Sequence, residues 1–182
     1  MTISEATAIS NLPPVTTWDK YTNKRIETLH PIIRNIVAQA VNECEKKRFK
    51  VRLTSDGCLR SWDLQDQLYG HSRTREQLIA KGVNPDYAQP SETWKTNATG
   101  GESWHNFGLA IDICMIVGGK AIFTPDKIVV DIFKSYGFEW GGDWKSADNP
   151  HFQITFGLNI ADMRLKYVSH EVDMNGYVKL VA

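Results

Sequence analysis

The stretch Ser103-Trp104-His105-Asn106-Phe107-Gly108-Leu109-Ala110-Ile111-Asp112-Ile113-Cys114-Met115-Ile116-Val117 changes character half-way along. From Leu109 onward every residue is apolar except Asp112, which is the composition of a buried strand with one polar intruder. A carboxylate inside an apolar strand is costly unless it is paired or binds a metal. His105 stands at the mouth of that strand, across Gly108 from the aspartate, and can fold back toward it.

A second histidine keeps similar company. Asp148-Asn149-Pro150 is a turn sequence, and His151 follows it at the start of a strand-like run from Phe152 to Phe156. His105, Asp112 and His151 would make a three-ligand set that leaves zinc a fourth position for water, as catalytic zinc sites do and closed structural ones do not. Asp148 then remains as the general base. Spacing alone leaves another reading equally open, in which two packed histidines flank a hydrogen-bonded carboxylate and an ordinary turn. His30 and His170 lack such neighbours, and His71 has only Arg73 and Arg75 nearby.

Working outward, Leu29, Ile33, Ile36, Val37, Ala40 and Cys44 recur at three- and four-residue steps, one face of an amphipathic helix with Pro31 in its first turn. Phe49, Val51 and Leu53 alternate with Lys50 and Arg52 as a strand does. Ser61 caps a short helix carrying Leu64 and Leu68, and Thr74-x-x-Gln77 is a capping box for another that stops at Gly82. Asn84 to Gly101 reads as a long polar loop, a length that in a compact domain points to function. After the turn Gly118-Gly119, Thr124 and Pro125 open a helix with Ile128, Val129, Ile132, Phe133 and Tyr136 inward. Asn159 caps a last helix with Ile160, Met163 and Tyr167, and Asn175-Gly176 suits a hairpin turn. Helices and strands without regular βαβ alternation predict an α+β fold, a small antiparallel or mixed sheet with flanking helices.

The chain has 182 residues, enough for one domain with its own core. Lys plus Arg and Asp plus Glu are each 21, so formal charge is zero; this argues against a nucleic-acid binder, which needs a basic excess. No charge-free run approaches the ~18 residues that span a bilayer. Residues 1–24 read as a flexible lead-in and not as a signal peptide, because Pro13-Pro14 stands where an apolar core would be. Synthesis in the cytoplasm is expected. Three scattered cysteines do not make a disulfide framework.

Ser103-x-His105-x-x-Gly108-x-Ala110-x-Asp112 matches every fixed position of the signature of the zinc D,D-carboxypeptidase and L-alanyl-D-glutamate peptidase family. Trp140-Gly141-Gly142-Asp143-Trp144 followed by Asp148-x-Pro150-His151-Phe152 resembles that family's second signature. Arg60-Ser61, Gln65, Leu68-Tyr69 and Arg73-Thr74 are similar to the run around its substrate arginine. The resemblance covers roughly residues 25 to 167, which sets the zinc peptidase domain apart from a tail over 168–182.

The resemblance implies the Hedgehog/D,D-peptidase-like zinc peptidase fold, zinc as cofactor, and a peptidoglycan stem peptide as substrate, with no stable membrane insertion. It implies His105, Asp112 and His151 as zinc ligands, Asp148 as catalytic base and Arg60 as the group that holds the scissile carbonyl and its oxyanion. Ser103, Arg73 and Trp140 are carried over as substrate contacts. A permanently charged guanidinium suits the role of Arg60. Gly57-Cys58-Leu59-Arg60 is one residue longer than the family's Gly-x-Arg, and Gln153 stands where glutamate is common. Asp148 and the Gln65 to Thr74 run resemble the L-alanyl-D-glutamate endopeptidases, many of them phage endolysins; a D,D-carboxypeptidase is the alternative. A binding module with a structural zinc has no need of Asp148 and Arg60, and a metal-dependent nuclease has no basic run here. A monomer is expected.

Overall fold

The computed structural model describes residues 1–180. Its central helix, α3 (Pro31–Lys46), follows from the sequence: Pro31 occupies the first turn and His30 caps it by accepting from the Ile32 amide. Leu29, Ile33, Ile36, Val37, Ala40 and Cys44 are fully buried, so the three-four stripe faces the core as its spacing requires.

The sheet is built around one long strand. β2 (Ala110–Val117) pairs antiparallel with β1 (Val51–Leu53) and β3 (Lys120–Ile122) over its C-terminal half, and with β5 (His151–Gln153) over its start. β4 (Glu139–Trp140) adds to β5, giving the order β1-β2-β5-β4 with β3 beside β2. The expected α+β class with a small antiparallel sheet and flanking helices is what the chain adopts. β3 and β4 are strands that the periodicity did not reveal, each being only two or three residues long.

The register of β2 on β5 sets Asp112 directly opposite His151. Partners in an antiparallel ladder place their side chains on the same face with Cβ atoms about 5 Å apart. Two residues far apart in sequence are thereby brought together by backbone pairing.

Helices α4 (Trp62–Tyr69) and α5 (Arg75–Lys81) begin at the expected caps, Ser61 and the Thr74/Gln77 box. Helix α6 departs from expectation: it spans Lys127–Ser135 with Asp126 as its cap, not Thr124, because the Asp126 carboxylate takes the Ile128 amide at 2.8 Å. Ile128 is consequently exposed while Val129, Val130, Ile132 and Phe133 are buried. The strand expected over Phe152–Phe156 is shorter, ending at Gln153, and Phe156 takes a left-handed φ of 52°. Helix α7 (Ile160–Val168) has Asn159 as cap.

Residues 1–24, expected as a flexible lead-in, are helical in part and pack on the core. They form α1 (Ile3–Ser10), closed by a Thr2/Glu5 capping box, and α2 (Lys20–Ile26), capped by Asp19. Ala6 is fully buried, with Ile3 and Ile9 packed against the core, an i, i+3 stripe too short to register as periodicity. The buried Asn35 of α3 fastens the segment by accepting from the Val15 amide and donating to the Ile9 and Leu12 carbonyls. In the tail, Val172 and Val178 bridge across a turn containing Asn175-Gly176, and Val178 and Leu180 enter the core. The core therefore draws on residues from Ala6 to Leu180, and the divisions expected near residues 24 and 168 are not breaks in packing. The tail's last two residues, 181–182, lie outside the described residues.

Candidate active site

His105 sits in a 3-10 turn, Trp104–Phe107, that leads into β2. Ser103 caps this turn and accepts from the His105 amide, while the Asn106 side chain accepts from Gly101 and donates to the Arg60 carbonyl at 2.9 Å. Ser103 and Asn106 thus fix the backbone that carries His105, and Asn106 ties it to the loop that carries Arg60.

The imidazole of His105 donates from Nδ1 to the Cys58 carbonyl at 3.0 Å, which leaves Nε2 with its lone pair inward. His151 donates from Nε2 to Gln153 Oε1 at 3.1 Å, which turns Nδ1 inward. These two nitrogens stand 3.1 Å apart, and Asp112 Oδ1 lies 3.1 Å from His151 Nδ1 and 3.3 Å from His105 Nε2. Three acceptors converge on one point, the two imidazoles with their outer N–H groups already committed, and such a set could hold a metal ion.

The electrostatics reflect the same close approach: burial would lower His151, but the bond to Asp112 and its charge hold the imidazole raised. Burial by itself would raise the Asp112 carboxyl, but the two imidazoles hold it far below the usual carboxylate range. Burial pushes His105 down, toward the neutral form that ligates. Asp148 is raised, first by withdrawal from water in the cleft wall and then by the charge of Asp112.

Arg60 comes within the same cluster. Its Nη2 lies 3.4 Å from Asp112 Oδ2, the oxygen turned away from the histidines, and Nε and Nη2 both reach the Asp56 carbonyl. Nη1 donates to Gln65 Oε1 at 2.9 Å. These contacts use four of the five N–H bonds of a guanidinium. The extra residue between Gly57 and Arg60 does not carry the side chain out of reach.

His105, Asp112, His151, Asp148, Arg60 and Ser103 all line one open cleft of about 830 Å³. Arg73 and Trp140 are not among its lining residues. Arg73 stacks on Tyr69 and donates to the Tyr69 carbonyl and to Asn97. Trp140 donates to the Asn149 carbonyl at 2.8 Å and packs along Phe152. Both hold cleft loops from behind.

A family model described as D-alanyl-D-alanine carboxypeptidase matches residues 96–154, the segment that carries His105, Asp112, Asp148 and His151. The chain is 34% identical over 139 residues to the peptidoglycan L-alanyl-D-glutamate endopeptidase CwlK of Bacillus subtilis (strain 168), covering 69% of this chain and 73% of that protein. The chain belongs to the D,D-carboxypeptidase and L-alanyl-D-glutamate peptidase family. The L-alanyl-D-glutamate peptidase of Listeria phage A118 is 36% identical over 95 residues, 49% of this chain and 30% of that protein. Among solved structures, the Serratia marcescens L-Ala D-Glu endopeptidase ChiX aligns with a TM-score of 0.47 at 21% identity, over 77% of this chain and 90% of that one.

Three residues of this peptidase that the sequence did not give as ligands, catalytic groups or substrate contacts organise the site, two of them, Gln65 and Gln153, already standing in the runs that resemble the family. Gln65, fully buried, accepts from Arg60 and donates to the Ala98 carbonyl; a polar side chain at a core position of α4 was the available signal. Asn106 welds the His105 and Arg60 loops. Gln153 orients His151 and donates in turn to Glu139.

Proposed function

We propose that this peptidase is a zinc enzyme that hydrolyses the L-alanyl-D-glutamate bond of peptidoglycan stem peptides. The observation that carries the zinc reading is the triangle of inward donor atoms, 3.1–3.3 Å on its edges. A tetrahedral zinc with bonds of about 2.0–2.2 Å spaces its donors by roughly 3.3–3.6 Å, so the triangle need open only slightly. Two imidazoles and one carboxylate are a zinc donor set that leaves a fourth position open. The choice of bond rests on the relatives named for it.

When bound, zinc supplies a Lewis acid that brings the pKa of a water toward ~7. With zinc held by His105, Asp112 and His151, Asp148 would take a proton from the attacking water as the water oxygen adds to the scissile carbonyl carbon. It then returns the proton to the leaving nitrogen as the C–N bond breaks, giving one carboxylic acid and one amine. A raised pKa makes Asp148 the better base. Arg60, held by Asp56 and Gln65, directs its remaining N–H to the carbonyl oxygen and stabilises the charge that develops there, with no proton traffic. Ser103 acts by fixing His105, and Arg73 and Trp140 act by fixing loops. We read the enzyme as a monomer made in the cytoplasm that works on the cell wall, in a phage endolysin or in a bacterial wall enzyme. Among the described residues no helix is long and apolar enough to cross a membrane.

Mass spectrometry of purified peptidoglycan after digestion, with and without chelator, tests the reading. Chelator-sensitive release of stem peptides that begin at D-Glu is the expected result. Loss of terminal D-Ala alone would make the enzyme a carboxypeptidase, as the matching family model is described. Wall binding without new amine termini would make it a binding module.

A further inference from the structure

Positive charge around the cleft is unevenly committed. Arg60 is tied to Asp112, Gln65 and Asp56, while Lys81 and Arg164 are drawn to Glu102. Lys95 and Lys145 also line the cleft, and among the described residues neither takes part in an ion pair. The two stand in different surroundings. Lys95 precedes Thr96, whose hydroxyl meets Gln65, the partner of Arg60, so it belongs to the side that holds the carbonyl.

Lys145 belongs to the other side. The amides of Trp144 and Asp148 donate to the same carbonyl, Gly141 O, at 3.2 and 3.0 Å. That shared acceptor pinches residues 144–148 into a tight loop with Lys145 inside it. A Cβ on Gly141 would lie 2.6 Å from the Asp148 carbonyl oxygen, so only glycine permits the pinch. The Trp144 ring sits 5.0 Å from the His151 ring, which seats the loop over the ligand cluster. Lys145 therefore stands in the cleft lining on the short loop that also carries Asp148, the residue proposed above to protonate the leaving amine.

The substrate supplies the complement. In a stem peptide D-Glu continues the chain through its side-chain carboxyl, so its α-carboxylate is free and is attached to the very carbon that bears the scissile nitrogen. We propose that Lys145 is a specificity-determining residue that binds this α-carboxylate and so favours stem peptides with D-Glu over those in which the same group is a carboxamide. The assignment rests on the endopeptidase reading above. Lys95, by its place beside Thr96 and the Arg60–Gln65 pair, falls to the L-Ala side in the same reading, where the substrate offers no charge.

The test compares kcat/KM on two synthetic muropeptides that differ only in D-Glu α-carboxylate against α-carboxamide. The zinc-loaded enzyme is expected to prefer the carboxylate by about five- to tenfold, between the effect of an exposed ion pair and that of a charge-assisted hydrogen bond. Lys145→Met should bring the ratio to near one through KM on the carboxylate substrate, Lys145→Arg should keep most of it, and Lys95→Met should leave it as it was. Equal cleavage of both substrates by the unaltered enzyme, or a ratio that survives Lys145→Met, overturns the proposal. Removal of D-Ala with no cut at either L-Ala bond refutes the endopeptidase reading itself, an outcome distinct from an endopeptidase without preference.

Discussion

The His30 amide donates to the Gly108 carbonyl at 3.0 Å, and a Cβ on Gly108 would lie 2.6 Å from that same nitrogen. Gly108 also holds a left-handed φ of 67°, where a side chain is strained. The glycine of the signature is thus where the start of α3 docks under the turn that carries His105. Gly108→Ala should cost about 2–4 kcal/mol, combining left-handed strain with a clash against backbone that cannot step aside. Denaturant unfolding at fixed metal load measures it. An unchanged midpoint would show that the docking contributes nothing to stability.

Asp148→Asn should leave zinc stoichiometric while turnover falls by about 10²–10⁴-fold, the range of a lost general acid–base. His151→Ala should lose metal and turnover together. Metal analysis of the two purified variants beside rates on a muropeptide separates the roles. Zinc lost from Asp148→Asn would make Asp148 a ligand, and zinc fully kept in His151→Ala would remove His151 from the set.

Gln65 is the partner through which α4 sets the direction of Arg60. Gln65→Leu should lower turnover about tenfold to a hundredfold with zinc affinity unchanged, and should cost roughly 1–3 kcal/mol for the polar groups left unpaired. Because the effect passes through Arg60, a double-mutant cycle is decisive: in an Arg60→Ala background the same substitution should lower turnover little further. Full additivity of the two losses would mean that Gln65 acts elsewhere.

The candidate residues stood out because they are chemically out of place where they stand, but it was the family resemblance that chose ligands over packed side chains. Asp112 is a carboxylate in an apolar strand, and His151 opens a strand after a turn. Their facing one another was not legible, since it comes from the Asp112–His151 register of β2 on β5 and no local spacing encodes strand order. Caps such as Ser61, Thr74 and Asn159 were readable because a side chain satisfies its own helix. At α6 two candidate caps competed, and the carboxylate of Asp126 won over the Thr124-Pro125 pair. Helix α1 stayed hidden because its inward stripe is one alanine and two partly buried isoleucines, and it is docked by Asn35, a long-range contact. Arg73 and Trp140 were placed in the cleft by resemblance, whereas the structure puts them behind its loops.

His30 gives the pH dependence of folding a definite sign. Burial pushes its pKa below the ordinary imidazole value, against the pull of the Val178 carbonyl bond. A carbonyl only accepts, so Nε2 carries the proton, and Nδ1 must stay bare to accept from the Ile32 amide. Protonation would place a second proton on Nδ1 and break the cap of α3. The unfolded chain binds that proton near pH ~6.5 and the folded chain only at lower pH, so stability is complete above that value and is lost as pH falls below it. His30→Asn keeps a good helix cap and removes the titration. Between pH 7.5 and 5.5, on the order of the span of one imidazole titration, the unfolding midpoint of the unaltered protein should fall further than that of His30→Asn. Because His105 and His151 titrate alike in both proteins, the difference between the two curves belongs to His30. Parallel curves would show that the ring is protonated as easily in the fold as in the open chain.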